Sequence, residues 1–499
     1  MKAHLLYRDA DFDLKRPPEA FEKDLVKDLE LDTLFDAMAA EDRYIREVAA
    51  KVILTGLRDA DAIRYRQAIL IDCLDNPAFV RSLYALTCEA IECEKKSNFI
   101  IFGFGRSASS ILYTSISLLE MYEALLKSLR ALVDLDSGRF GSEGFARLFT
   151  MLQADLNDDY LGLLHSHLRE LRFRRGVLIS ARLGGGNKGA DYVLRKSNAS
   201  KGNWVRRLFA KRAPAYSYTV PDRDESGAKA LSELHDRGLN LAANAAAQSA
   251  KHILGFFTML RLELAFYIGC LNLHEIVVGK GIPISFPAVS DSGERRHSFR
   301  GLRDPCLALT MDQKVVGNDA GADDKNLVII TGANQGGKST FLRSMGLAQI
   351  MMQCGMFVVA ERFAANICEA LFTHFRREED AAMKSGKFDE ELVRMSGIAD
   401  ELRPDAMVLF NESFAATNER EGSEIAGQIV SALVEKRIKV FFVTHQYEFA
   451  HGMYEKDLGD ALFLLAERRP DGERTFKLVE GEPLATGYGE DLYKEIFEG

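Results

Sequence analysis

The chain has 499 residues, of which 47% are hydrophobic and 27% charged, and its net charge is −9. These values describe a soluble globular protein long enough for more than one domain, and they exclude a uniformly basic nucleic-acid binder, although an average can conceal a local basic patch. The seven cysteines are scattered, odd in number and without a C-x-x-C pair, so neither a disulfide framework nor a zinc site is indicated. A reducing cytoplasm is the expected compartment. The opening MKAHLLYRDADFD has no apolar stretch, so a signal peptide is not expected.

Residues 1–30 read as an irregular, charged lead-in containing Pro17-Pro18. From Leu31 the apolar residues Leu34, Met38, Ile45, Val48 and Val52 recur at helical spacing, and helical patterning continues to about Leu171. Gly138, Gly141 and Gly144 mark a turn between helices. The character changes between Phe173 and Asp224. Val177–Ala181 and Tyr192–Leu194 read as short strands around the flexible turn Gly184–Gly189, and Tyr216–Val220 reads as a third strand closed by Pro221. A long helix is expected from Ser226 to about Val278. Its most apolar part, Phe256–Leu273, is interrupted by Arg261, Glu263 and Asn272, so it reads as a buried helix and not a membrane span.

From about Ile282 the pattern is α/β. Expected strands are Leu327–Ile330, Ala406–Phe410, Val440–Val443 and Thr475–Val479. The first runs into Thr331–Thr340, TGANQGGKST, which fits G-x-x-x-x-G-K-[ST]. Glycines let backbone N–H groups close around an anion, Lys338 reaches the β- and γ-phosphates, and the Ser339 hydroxyl can serve Mg²⁺. The helix expected over Lys338–Cys354 turns its positive N-terminus toward the phosphates. The candidate ATP-binding set is therefore Gly332, Ala333, Asn334, Gln335, Gly336, Gly337, Lys338, Ser339 and Thr340.

The second strand leads into Asn411-Glu412, where a phosphate-loop ATPase places its second acidic motif. Glu412 is the candidate general base. Asn411 offers an amide oxygen toward Mg²⁺ or its waters but no charge. The third strand ends in Thr444-His445, and His445 is a candidate γ-phosphate sensor on the same sheet edge.

At these residues the chain resembles the MutS family. The family's G-P-N-M-G-G-K-S-T is matched by Gly332–Thr340, its D-E-x-G-R-G-T-S by Asn411–Asn418, and its T-H-x-x-E by Thr444–Glu448. Val316–Asp319 is similar to the P-N-D element, and Gly487-Tyr488-Gly489 to S-Y-G. Asp59–Gln67 is similar to the start of the family's lever helices. The resemblance implies a multidomain protein: a helical lever region (31–172 and 225–280) carrying a small β-containing, clamp-like insertion (173–224), then an α/β P-loop ATPase domain of ABC type (281–499). It also implies ATP and Mg²⁺ as cofactors, a homodimer through the ATPase domains, repair-protein partners and no membrane. Phe388 matches the phenylalanine of the family's S-T-F signature, but no Ser-Thr pair precedes it. Counterparts of the family's mismatch-reading and connector domains are not expected before the levers.

Between Arg169 and Arg212 basic residues outnumber acidic ones strongly, with Glu170 and Asp191 the only acids, and the sole tryptophan, Trp204, lies inside. Such a patch suits phosphate contacts with DNA, duplex, mismatched or branched. Arg195, Lys196, Arg206 and Arg207 are the candidate DNA-binding residues. Two functions are consistent with these residues. One is an ATP-dependent DNA-binding protein of repair or recombination. The other is a nucleotide-switched protein-interaction module with little turnover and no direct DNA binding.

Overall fold

The computed structural model describes residues 1–104, 107–174, 176–196, 217–377, 386–469 and 473–485, with the side chains of 98–104 and 187 left aside. Arg206, Arg207, Trp204 and Gly487-Tyr488-Gly489 lie outside the described residues. In chain order the helices before the first hairpin are α1 (Glu22–Asp28), α2 (Leu31–Ala39), α3 (Arg43–Thr55), α4 (Ala60–Asp75), α5 (Pro77–Phe104), α6 (Ala108–Asp136), α7 (Glu143–Asp155) and α8 (Asp158–Leu171). The hairpin β1 (Leu178–Leu183) and β2 (Gly189–Arg195) precedes the long α9 (Glu225–Gly279). Next come β3 (Ala288–Ser290), β4 (His297–Leu302), α10 (Pro305–Thr310), β5 (Asn318–Gly321), β6 (Leu327–Gly332), α11 (Lys338–Gln353), β7 (Arg362–Asn366) and β8 (Leu371–Phe375). The described chain closes with α12 (Lys387–Glu401), β9 (Met407–Asn411), α13 (Glu419–Glu435), β10 (Lys439–Val443), α14 (Tyr447–Glu455), β11 (Ala461–Arg468) and β12 (Arg474–Glu480).

The fold is helix-rich with mixed sheets and divides into two compact units. One comprises Met1–Ala3, Arg81–Gly138 and Arg147–Arg261. Its α6 begins with a capping box, Ser107 and Ser110 each satisfying the other's backbone N–H, which offsets the orphan donors of a helix start. Tyr122 on α6 packs its ring 6.2 Å from Phe257 of α9. The β1–β2 hairpin is antiparallel and largely exposed on both faces. It is anchored by Ile179, which lies so close to Gly238 of α9 that a Cβ there would meet its Cδ1 at 2.4 Å. The strand expected at Tyr216–Val220 does not form over Ser217–Val220, where no ladder partner exists among the described residues and Tyr218 is exposed.

The other unit comprises His4–Val80, Arg139–Ala146 and Leu262–Gly499. Its larger sheet has the order β12-β11-β6-β10-β9-β8, parallel from β11 to β8, with β12 antiparallel at the edge. Parallel strands are covered on both faces, so β6, β9 and β10 read as unbroken apolar runs. Phe410 of β9 stacks on Phe442 of β10 at 4.9 Å and 14°. A smaller sheet, β3-β7-β4-β5, mixes parallel and antiparallel pairs.

The start of the chain departs from the irregular lead-in expected. It carries α1, and Leu5, Leu6 and Leu29 are fully buried. Among the described residues one helix, α9, is long and apolar enough to cross a membrane, and two thirds of its most apolar stretch is buried inside the protein, as a core helix requires. Within this unit α9 presents Glu263, which is fully buried and accepts hydrogen bonds from the backbone N–H of Leu5 and, at 3.4 Å, of Leu6.

Burial pushes the Glu263 carboxyl up to about 7, with Asp11 adding to the rise and the Leu5, Leu6 and Arg66 interactions opposing it. The folded state therefore binds this proton more tightly than the unfolded chain. The resulting stabilisation is complete below the ordinary value of 4.5, is lost as pH rises toward 7, and is flat above that. Glu263→Gln keeps an acceptor for Leu5 and Leu6 without a charge. The thermal midpoint of this variant is expected to vary less than the wild type's between about pH 4.5 and about pH 7.5. Equal slopes in the two proteins would contradict the assignment.

Candidate functional site

The carboxyl ends of parallel strands, where the order of connection reverses, are where α/β sheets bind ligands. Here β6, β9 and β10 lie side by side, and the motifs at their ends meet. The loop after β6 is shaped by backbone that only certain residues tolerate. Gly332 has φ +107 and Gly337 φ +87, and a Cβ on Gly336 would meet Ala466 Cβ at 2.7 Å and the Ala333 carbonyl at 2.9 Å. Gln335 is also left-handed, at φ 58, and its side-chain oxygen accepts from Arg474 Nη1 at 2.9 Å.

Lys338 opens α11 and is buried. Its ammonium donates to the carbonyls of Gly332 at 2.8 Å and Ala333 at 2.9 Å, so it sits inside the loop that precedes it. Burial lowers its pKa, while the Glu412 carboxylate opposes the fall. Ser339 Oγ donates to Asn411 Oδ1 at 2.9 Å. The two residues expected to face a divalent cation are thus in direct contact. Both present oxygen, the donor class that Mg²⁺ takes.

A cavity of about 470 Å³ lies over the loop. Asn334–Thr340 and Glu412 line one end, and Leu307, Met311, Val315 and Phe476 are among the apolar residues elsewhere in its wall. Phe476 lies on β12 with φ 57, and its ring would be 3.6 Å from a Cβ on Gly337. Asn318 holds that stretch, donating to the Phe476 carbonyl at 3.2 Å and accepting from the Leu478 N–H at 2.8 Å.

Glu412 is held just past β9 in a left-handed conformation (φ 53), with its N–H on the Val443 carbonyl at 2.9 Å. Beneath it Ser413 and His374 are fully buried. His374 Nδ1 lies 2.8 Å from Ser413 Oγ, and its Nε2 lies 3.0 Å from the Glu391 carbonyl. Burial pushes the His374 imidazole down to about 3, so it is neutral near pH 7. Phe414, also left-handed (φ 61) and fully buried, stacks on that ring at 5.2 Å.

His445 is exposed two residues beyond β10 and is not among the residues lining the cavity. Phe388 is turned inward against the buried core around Phe372 and Met395. On the hairpin, Arg195 and Lys196 are exposed. Arg195 Nε donates to Ser180 Oγ at 2.9 Å, and Lys196 pairs with Glu170 at 2.7 Å. Arg182 and Lys188 are exposed on the same hairpin.

The residues that sequence reasoning missed are Phe476 and Arg376, whose guanidinium lies 3.9 Å from Glu412, while Asn318, the support of Phe476, was noted within the Val316–Asp319 element but not as a site residue. Their positions follow from pairings between distant strands, for which the local sequence carries no signal.

Two family models match this chain. The one described as MutS2 N-terminal domain covers residues 58–278, and the one described as MutS domain V covers residues 328–485. Curated relatives include the DNA mismatch repair protein MutS of Synechococcus sp. (strain JA-2-3B'a(2-13)), 24% identical over 86% of this chain and 53% of the relative. The protein of the same name from Thermotoga sp. (strain RQ2) is 31% identical over 38% of this chain and 24% of the relative. That from Prochlorococcus marinus is 26% identical over 51% and 28%. The chain thus spans between about a quarter and about half of the length of these relatives.

Proposed function

This chain belongs to the MutS family, and on that premise we propose that it is an ATP-dependent DNA-binding protein acting in mismatch repair or recombination. The observation that carries the nucleotide half is the loop between β6 and α11, with the Lys338 ammonium seated inside it and Ser339 meeting Asn411 beside it. The loop N–H groups and Lys338 would hold the β- and γ-phosphates. The apolar wall with Phe476 suits a nucleobase. Ser339 and Asn411 would hold Mg²⁺, which when bound supplies positive charge against the phosphate oxygens. Glu412 would take the proton of the attacking water, and His445 would turn in from solvent toward the γ-phosphate.

The DNA half rests on the exposed basic hairpin, with Arg182, Lys188, Arg195 and Lys196 placed for backbone phosphates and Arg206 and Arg207 in the continuation of the same segment. Recognition of mismatched or branched DNA by its shape suits a patch of this kind. Pairing of two ATPase domains would couple nucleotide state to the grip on DNA, and repair proteins would read that state.

Asn411 favours a second reading, the nucleotide switch with little turnover, because it removes a negative charge from the cation site. Phosphate release by wild type and Asn411→Asp separates the two. The variant is expected to bind Mg²⁺ about tenfold more tightly and to hydrolyse ATP faster, since a charged oxygen replaces a neutral one. Measurable wild-type turnover supports the ATPase. No wild-type turnover together with a large gain in the variant supports the switch.

A further inference from the structure

The end of β8 carries two consecutive arginines, and they are held differently. Arg377 pairs with Asp24. Arg394, which reaches the same place from α12, is largely buried and donates to the Phe375 carbonyl at 2.6 Å. Arg376 is set by the strand register. Phe375 lies opposite Asn411, and the Arg376 N–H donates to the Asn411 carbonyl at 2.9 Å, so Arg376 stands beside Glu412. Its guanidinium is half exposed and reaches Glu412 Oε2 at 3.9 Å, too long for a hydrogen bond. Glu412 in turn lines the cavity over the phosphate loop.

We propose that Arg376 is a γ-phosphate-binding and catalytic residue, which pairs with Glu412 when no γ-phosphate is present and with the γ-phosphoryl oxygens when ATP is bound. This rests on the nucleotide reading of the site. Three features carry it. The pair with Glu412 is long and water-screened, so it holds the guanidinium weakly. A phosphate offers the planar guanidinium two parallel charge-assisted hydrogen bonds, a better partner than a distant carboxylate. Asn411 is neutral, so the end of β9 adds no second carboxylate beside Glu412, and the other carboxylate that attracts the guanidinium, Glu391, is buried on α12.

The exchange has a chemical consequence. Once Arg376 leaves for the γ-phosphate, Glu412 is free to accept a proton. In hydrolysis the water oxygen forms a bond to the γ-phosphorus, and the bond from that phosphorus to the bridging oxygen breaks with its electron pair leaving on ADP. The water proton passes to Glu412. Arg376 stays protonated and faces the equatorial oxygens on which negative charge is carried. ADP has no γ-phosphate, so with ADP the pair with Glu412 persists, and Arg376 becomes a means of telling ATP from ADP.

The test is titration of the full chain with fluorescent ADP and a non-hydrolysable ATP analogue, with phosphate release measured in parallel, for wild type, Arg376→Ala and Arg376→Lys. Arg376→Ala is expected to bind ADP as wild type does, which also reports that it is folded. It should lose about tenfold in affinity for the ATP analogue and about 100-fold in kcat. Arg376→Lys, which keeps the charge but not the planar fork, should fall between. Wild-type preference for the analogue over ADP together with wild-type kcat in Arg376→Ala would overturn the inference and leave the nucleotide reading intact. Failure of wild type to bind either nucleotide would overturn the nucleotide reading itself, and this inference with it.

Discussion

Replacing Lys338 with alanine is expected to weaken ATP binding about 30-fold and to reduce hydrolysis by about a thousandfold. The first effect follows from the loss of one charge-assisted hydrogen bond to a phosphate oxygen. The second is larger because, on the proposed reading, the ammonium would face charge that moves toward the bridging oxygen as the bond breaks. The geometry makes the substitution doubly costly. Lys338 also donates to the carbonyls of Gly332 and Ala333, so its removal leaves two loop acceptors without that partner and loosens the cradle itself. Isothermal titration with ATP analogue and phosphate release read the two effects separately. A variant that binds and hydrolyses like wild type would show that the loop is not the nucleotide site.

The largest effect on stability is expected at Arg66. This arginine is 1% exposed, and it donates to the Leu6 carbonyl through Nε and Nη2 and to the Cys354 carbonyl through Nη1. Its guanidinium lies 5.3 Å from the ring centre of Tyr7 and 5.6 Å from that of Phe266. One side chain thus ties the first residues of the unit to α9 and to the end of α11. Arg66→Ala would leave buried carbonyls unpaired and open a cavity between the rings, at a cost of roughly 4 kcal/mol. For a unit of this size the thermal midpoint is expected to fall by about 6 °C. Arg66→Met, which keeps much of the packing, should lose about half as much. A fall of under about 2 °C in Arg66→Ala would show that the tie is not structural.

The same arginine shows where the sequence stops being legible. Residues 1–30 read as an irregular lead-in because their burial depends on Arg66, Glu263 and Tyr267, whose contacts with Leu5 and Leu6 no local pattern announces. By contrast β6, β9 and β10 were readable to within a residue or two. Strands covered on both faces must be apolar throughout, and the glycines and Lys338 of the loop are required by the backbone it forms.

Tyr216–Val220 has strand composition, yet Ser217–Val220 has no partner strand among the described residues to make it one. In the site, Lys338, Ser339, Asn411 and Glu412 were named from motif spacing and are brought together. Phe476 and Arg376 were not named, because each is delivered by a pairing of strands separated in sequence: β11, whose hairpin partner is β12, along β6, and β8 along β9. His445 was named by its place after β10, and its side chain points to solvent.

The central claim, that a nucleotide at the loop after β6 governs a grip on DNA, is tested most directly by one binding measurement. Labelled homoduplex, mismatched and four-way-junction DNA are titrated with the full chain at fixed moderate salt, with and without a non-hydrolysable ATP analogue. The account predicts DNA binding whose affinity changes with the analogue in wild type and does not change in Lys338→Ala. Absence of binding to all three DNAs in both nucleotide states would contradict it.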